Sequence, residues 1–337
     1  MNKEVLKRLK NAGLLSDEAH DLGFVSTGSY ALNRIISGDY MKGIPVGMIT
    51  QFHGEASTAK TVFATHILKE AQSKGYYTML VDSENAYNPT FARQLGVDPA
   101  RLVYSTPETL EESFQVMEDT ILSIREVDPS TPIIIAYDSI AVSPSKAEYD
   151  AESYDGHNMQ GAVRAKATGA CLRKINPLMR KHKVALIVIN QIRSKVGVLY
   201  GNPETMAAGG KSLDYYLGVN LKCISNKTAD LVRDDNKQVI GITGTVRNTK
   251  NKVSIPFREC DFELMYDEGL NACAGMLKQL VLDNTVDQNG AWYNWNGVKF
   301  QRKEFDSSFL TGEKFAKLRQ EVGVETQTPA TKELKAK

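Results

Sequence analysis

The stretch that decides the fold reads Val46-Gly-Met-Ile-Thr-Gln-Phe52-His53-Gly54-Glu55-Ala56-Ser57-Thr58-Ala59-Lys60-Thr61. Residues 46–52 form a short apolar run of strand character, and a helical pattern follows over 60–73. Between them, residues 54–61 spell G-x-x-x-x-A-K-T, one residue from the Walker A pattern. Strand, glycine-led loop and helix in that order make a phosphate cradle. Backbone N–H groups of the loop converge on the anion, and the helix N-terminus adds partial positive charge. Lys60 is placed to reach β- and γ-oxygens, and the Thr61 hydroxyl to hold Mg²⁺. Ala59 departs from the usual glycine, and its Cβ is tolerable there if φ is negative. Taken alone, the loop could also be a surface turn that carries a lysine.

Working outward, apolar runs at 77–82, 132–138 and 184–190 alternate with helical patterns at 108–125 and 161–181. Short continuous apolar strands separated by helices imply an α/β fold with a mostly parallel sheet covered on both faces. Residues 219–225 and 239–248 alternate more and look antiparallel. Residues 270–325 read as a small α+β domain with a hairpin at 289–297, in which Trp292 and Trp295 are expected to be core. The polar tail 326–337 reads as disordered. Residues 2–11 read as a short basic amphipathic helix, packed either on its own domain or on a neighbouring subunit. The expected division is a 1–28 arm, a 29–269 core, a 270–325 domain and the tail.

Composition narrows the functional classes. The chain has 337 residues, 41 Lys plus Arg against 40 Asp plus Glu, and a mean hydropathy of −0.31. That balance excludes coating nucleic acid by bulk charge, so any such contact is a local basic patch. No run approaches the ~20 apolar residues of a membrane helix. Four cysteines without C-x-x-C spacing and five scattered histidines argue against a zinc site or a disulfide framework, and for free thiols in a cytoplasmic protein.

Three strands end in polar residues: Asp82-Ser83-Glu84, Asp138-Ser139 and Asn190-Gln191. Ligands of open α/β sheets sit at the carboxyl ends of strands, so all three face the phosphate loop. Asp138 fits a Walker B aspartate holding Mg²⁺ through water. Glu84 would orient and deprotonate the attacking water, and Gln191 could sense the γ-phosphate.

These residues, with Pro45-Val-Gly47, Asn190-Gln191-Ile192-Arg193, Val196-Gly197-Val198, Tyr200-Gly201-Asn202-Pro203-Glu204-Thr205, Gly209-Gly210, Lys250-Asn251-Lys252 and Gly290-Ala-Trp292-Tyr293, resemble the bacterial RecA strand-exchange recombinases. The likeness runs from about Ser26 to about Lys299. The stretch N-Q-I-R-x-K-x-G-V-x-Y-G-N-P-E-T is highly specific, and generic P-loop ATPases lack it.

The resemblance implies a RecA-type ATPase core that binds ATP and Mg²⁺ and polymerises as a helical filament on single-stranded DNA. It would pair that strand with double-stranded DNA, with hydrolysis stimulated by DNA. It implies Glu84 as catalytic base and Gln191 as the link from γ-phosphate to a DNA loop at 193–211. Within that loop it points to Arg193, Lys195, Tyr200, Gly209, Gly210 and Lys211. A first DNA loop at 150–166 would use Met159 as an apolar wedge, with either Arg164 or Lys166 meeting phosphate. Phe91 resembles the aromatic beside adenine and Asn88 a polar partner of the base, although Phe91 alone reads equally well as core. Lys250 and Lys252 resemble the pair that reaches a neighbour's ATP, and Tyr215 an interface aromatic. Single-strand-binding and mediator proteins are the implied loading partners.

The chain departs from the family in a shorter region before Ser26, a basic-leaning tail and the insertion within Met206-Ala207-Ala208. Those traits fit a phage-encoded version. Two rivals remain: a small-molecule kinase or motor indifferent to DNA, and a regulatory or mediator filament with little turnover, which Ala59 favours.

Overall fold

The computed structural model describes residues 4–5, 7–8, 22–151, 160–194, 204–206, 210–225 and 230–324. After β1 (Phe24–Val25), α1 (Tyr30–Ser37) and β2 (Ile44–Pro45) comes β3 (Ile49–Gly54), which feeds the loop and α2 (Lys60–Ser73). Then follow β4 (Tyr77–Asp82), α3 (Pro89–Gln94), β5 (Leu102–Ser105), α4 (Leu110–Val127) and β6 (Ile133–Asp138). After them come α5 (Lys146–Tyr149), α6 (Gln160–Lys181), β7 (Val184–Ser194), β8 (Glu204–Met206) and α7 (Gly210–Tyr216). The strands β9 (Leu217–Ile224), β10 (Leu231–Arg233), β11 (Val239–Asn251), β12 (Glu259–Met265) and β13 (Gly269–Leu270) complete the large sheet.

That sheet runs β13-β12-β11-β9-β3-β7-β6-β4-β5, with β10 and β8 pairing off this path. The six strands from β9 to β5 pair parallel, and β11 to β13 add on antiparallel. The continuous apolar strands explain the layering. Ile133, Ile135 and Tyr137 of β6 face one core with α4 and α6, while Ile134 and Ala136 face the other with α1 and α2. β7 divides the same way, with Val184, Leu186 and Val188 on one side and Ala185, Ile187 and Ile189 on the other. Period-two alternation with both faces apolar is what a sheet buried on both sides requires.

Phe63 of α2 stacks on Phe52 of β3 at 5.4 Å and meets Phe262 of β12 edge-on at 5.1 Å. These rings clamp the helix behind the loop to the sheet. His66, one turn further, is buried, and its Nε2 accepts a hydrogen bond from Leu270 N at 3.1 Å. Gly269 allows that approach: a Cβ there would lie 2.6 Å from His66 Nε2, and its φ is +86°.

The C-terminal segment adds α8 (Met276–Leu282), β14 (Asp287–Asn289), β15 (Trp292–Trp295), β16 (Val298–Gln301), α9 (Arg302–Ser308) and α10 (Ala316–Glu321). The expected hairpin forms between β14 and β15, and β16 extends it to three antiparallel strands. Their core of Phe300, Phe305, Phe315 and Leu280 also takes in Tyr30 and Tyr40 from around α1. Arg34 donates to both oxygens of Asp283 at 2.6 and 2.9 Å, and the Tyr40 hydroxyl adds a third bond at 2.8 Å. Trp295 is buried, with its Nε1 donating to Glu321. Trp292 is 53% exposed, against expectation. Residues three apart on a strand point to opposite faces, so one tryptophan had to face outward.

In the N-terminal segment, Glu4, Val5, Lys7 and Arg8 are helical and exposed. All four cysteines are free. Burial pushes the Cys171 thiol up to about 11, and those of Cys223 and Cys273 up to about 12. Among the described residues no helix is long and apolar enough to cross a membrane.

Burial, reinforced by the charge of Lys69, lowers His66 from 6.5 to about 4. The unfolded chain therefore binds the extra proton first as pH falls. The stabilising contribution is whole above pH ~6.5 and is lost towards pH ~4, on the order of 3 kcal/mol. Acid-unfolding curves of His66→Gln should be flatter than wild type across that window. Parallel curves would contradict the assignment.

Candidate functional site

Parallel register sets the site. Gly54 lies opposite Gln191 on one side and Cys223 on the other, and Asp82 lies opposite Asp138. The carboxyl ends of four neighbouring strands therefore finish nearly level, and their polar residues converge. Gly54 is needed where it stands, because a Cβ would come 2.4 Å from Cys223 O.

A cavity of about 320 Å³ opens there, lined by loop residues 56–61 together with Glu84, Asp138, Gln191 and Tyr266. Within the loop, the Thr58 hydroxyl donates to Glu55 O at 2.9 Å, and Lys60 Nζ donates to the same carbonyl at 2.5 Å. The lysine is buried and lies across the loop it serves. Ala59 has φ +63° and Ser57 φ +64°. The condition set for Ala59 is therefore not met, because the loop keeps the left-handed turn that normally calls for glycine.

The Thr61 hydroxyl donates to Asp138 Oδ2 at 2.7 Å. Burial raises the Asp138 carboxyl to about 6; the Thr61 bond and Lys60 oppose that rise, while the charges of Glu84 and Asp82 add to it. A carboxylate held in that state favours a cation. Among the described residues no group of three or more His, Cys, Asp or Glu could hold a metal. The Thr61 hydroxyl and the Asp138 carboxylate are hard oxygen donors, the residues here that would hold Mg²⁺.

Glu84 Oε1 accepts from Ser139 Oγ at 2.7 Å and from Gln191 Nε2 at 3.3 Å. Behind Gln191 runs a buried amide ladder across three strands. Asn190 Nδ2 donates to Gln51 Oε1 at 3.0 Å, Gln51 Nε2 donates to Asn220 Oδ1 at 2.9 Å, and Asn190 Oδ1 accepts from Gln191 N at 2.9 Å. β7 then runs past Gln191 to Ser194 and pairs antiparallel with β8 through Ile192↔Met206, Arg193↔Thr205 and Ser194↔Glu204. Part of the expected loop 193–211 is thus a hairpin continuing the strand that carries Gln191, and Gly210 and Lys211 open α7.

A family model described as the RecA N-terminal domain matches residues 7–271. The chain belongs to the RecA family. Curated RecA proteins agree. That of Paramagnetospirillum magneticum is 34% identical over 87% of this chain and 77% of its own length. That of Heliobacterium modesticaldum is 36% identical over 85% and 78%, and that of Desulforapulum autotrophicum 33% over 93% and 87%. As a RecA-family protein the chain is an ATP-dependent recombination protein and a DNA-dependent ATPase.

The other expected residues are distributed as follows. Asn88 caps α3, its Oδ1 accepting from Thr90 N and Phe91 N. Asn88 and Phe91 line a smaller cavity of about 80 Å³ that shares Thr61 and Asp138 with the first. Lys250 Nζ donates to Asp214 O, and Lys252 Nζ donates to Tyr215 O at 3.2 Å. Both lysines therefore sit beside Tyr215, which is 78% exposed, and neither lines the loop's cavity. Arg164 donates to Ile140 O and Ala141 O, while Lys166 is exposed. Met159, Lys195, Tyr200 and Gly209 lie outside the described residues, as do the side chains of Arg193 and Lys211.

The sequence reading gave no role to Tyr266, to Ser139 or to the Gln51–Asn190–Asn220 ladder. Ser139, next to Asp138, and Asn190, next to Gln191, carried a positional signal.

Ala59→Gly should relieve left-handed strain worth ~1–2 kcal/mol, offset by the ~0.4–1 kcal/mol of extra unfolded-state freedom that glycine brings. Thermal melts should show equal or higher stability, and nucleotide affinity should change less than tenfold. A clearly lower melting temperature would show that the Ala59 methyl is needed for packing.

Proposed function

We propose that this chain assembles on single-stranded DNA as a helical filament, binds ATP with Mg²⁺ at the residue 54–61 loop, and couples the nucleotide state to its grip on DNA through Gln191. One observation carries the reading: the loop, Glu84 and Gln191 share a single cavity, and the strand holding Gln191 continues into the 193–211 segment. When bound, Mg²⁺ would neutralise charge on the β- and γ-oxygens. Lys60 would swing from the Glu55 carbonyl onto those oxygens. Glu84, oriented by Ser139, would hold the attacking water and take its proton. Gln191 now spends its amide on Glu84; a γ-phosphate would compete for that donor and shift the start of the DNA segment.

Arg193, Lys195, Tyr200, Gly209, Gly210 and Lys211 are the proposed contacts of the second loop. Met159 with Arg164 or Lys166 belongs to the first, and Asn88 and Phe91 serve the base. The four-part division of the chain, a cytoplasmic location, and loading by single-strand-binding and mediator proteins rest on the resemblance. Lys250, Lys252 and Tyr215 are proposed to face the neighbour, with the exposed Phe257 and Ile255 beyond them supporting an interface there. Two cations outside their own loop's cavity can act on ATP only across subunits.

Glu84→Ala should still bind ATP and DNA but lose ~10²–10⁴-fold in hydrolysis. Neutralising Lys250 and Lys252 together should also abolish DNA-stimulated hydrolysis, as removal of an arginine finger does. Mixing the two inactive variants should restore part of the activity at hybrid interfaces. Mixtures that stay inactive, or a lysine variant that hydrolyses normally, would overturn the arrangement.

A further inference from the structure

Glu84 is held twice. Its carboxylate is gripped by Ser139 and Gln191. Its backbone is gripped by Asp82, a residue only 3% exposed whose carboxylate spends both oxygens on the same turn. Oδ1 accepts from Glu84 N at 3.1 Å, and Oδ2 accepts from Tyr87 N at 2.9 Å. Asp82 is thus the nail through the turn that presents Glu84.

What steadies the nail comes from the neighbouring edge strand. Tyr104 of β5 reaches over β4 and donates its hydroxyl to Asp82 Oδ2 at 3.0 Å. Its ring lies against Tyr87 with centroids 5.0 Å apart. Tyr104 is 45% exposed overall, but desolvation of its hydroxyl and the bond to Asp82 push that group up to about 12, and it is a donor throughout the neutral range. A hydrogen bond to a charged acceptor is among the stronger ones available. Tyr104 itself lines neither cavity.

We propose that Tyr104 is a positioning residue for ATP hydrolysis, acting through Asp82 on the turn that carries Glu84. The proposal rests on the reading of Glu84 as the base. Two further bonds, from Ser83 N to Asp138 O and from Ser83 Oγ to Ser139 O, both at 2.9 Å, keep the turn folded without Tyr104. Loss of the hydroxyl should therefore loosen Glu84 without unmaking the site.

Tyr104→Phe keeps the ring on Tyr87 and removes only the donor. In the full chain with single-stranded DNA, kcat for ATP should fall several-fold, below the ~10²-fold that a 1 Å misplacement of a catalytic group can cost. KM for ATP, single-strand affinity with a non-hydrolysable ATP analogue, and melting temperature should stay at wild-type values. A double-mutant cycle supplies the readout that a structural role would not move. In a Glu84→Gln background the Tyr104→Phe change should cost nothing further, because the group it positions has lost its chemistry. Wild-type kcat in Tyr104→Phe would overturn the proposal and leave Glu84 untouched. An equal further loss in both backgrounds, or a drop in DNA affinity matching the drop in kcat, would overturn it in favour of another route or of assembly. Near-normal turnover in Glu84→Gln alone would instead sink the reading of Glu84 on which the proposal stands.

Discussion

Parallel pairing between β3, β7, β6 and β4 is the constraint on which the site depends. Gly54 falls level with Gln191, and Asp82 with Asp138. A one-residue slip in any of these pairs would turn every side chain of that strand to the opposite face. Both faces are packed cores, and the apolar residues that set the register run up to the site from beneath: Ile133 to Tyr137 on β6 and Val184 to Ile189 on β7, the last of which lines the cavity. Phe63, clamped between Phe52 and Phe262, then fixes where α2 starts and hence where Lys60 and Thr61 lie. The polar strand ends converge on one cavity, but their positions are decided by hydrocarbon packing.

The same convergence makes the site electrostatically tense. Asp82, Glu84 and Asp138 gather at one edge with Lys60 as the nearby counter-charge, and the Asp138 carboxyl is pushed up to about 6, chiefly by burial. Ala59 adds a left-handed backbone at the start of α2. Strain and unbalanced charge of this kind concentrate at functional sites, where surrounding packing holds them in place. The buried amide ladder beneath is the neutral counterpart: Gln51, Asn190 and Asn220 satisfy one another and stiffen the floor without adding charge.

Most of the sheet and the central site were legible because their signals are local. Apolar runs, the loop spelling and polar residues closing strands all lie within a few positions of one another. What was not legible depends on partners distant in the chain. Gln51 and Asn220 look like breaks in an apolar pattern until β3 lies between β7 and β9. Arg34 and Asp283 are 249 residues apart, and no local pattern joins them. The continuation of β7 to Ser194 depends on β8, a three-residue strand too short to announce itself. Lys250 and Lys252 are a different case, since they were noticed through the family motif and their spacing alone would have suggested a solvated edge.

The central claim is that nucleotide state and DNA grip are two ends of one strand, joined at Gln191. Single-strand affinity of wild type and Gln191→Ala, each measured with ADP and with a non-hydrolysable ATP analogue, tests it most directly. The account predicts that wild type binds DNA much more tightly with the ATP analogue than with ADP. Gln191→Ala should bind both nucleotides yet hold DNA equally weakly with either. A variant that still tightens on DNA with the ATP analogue as wild type does would contradict the account.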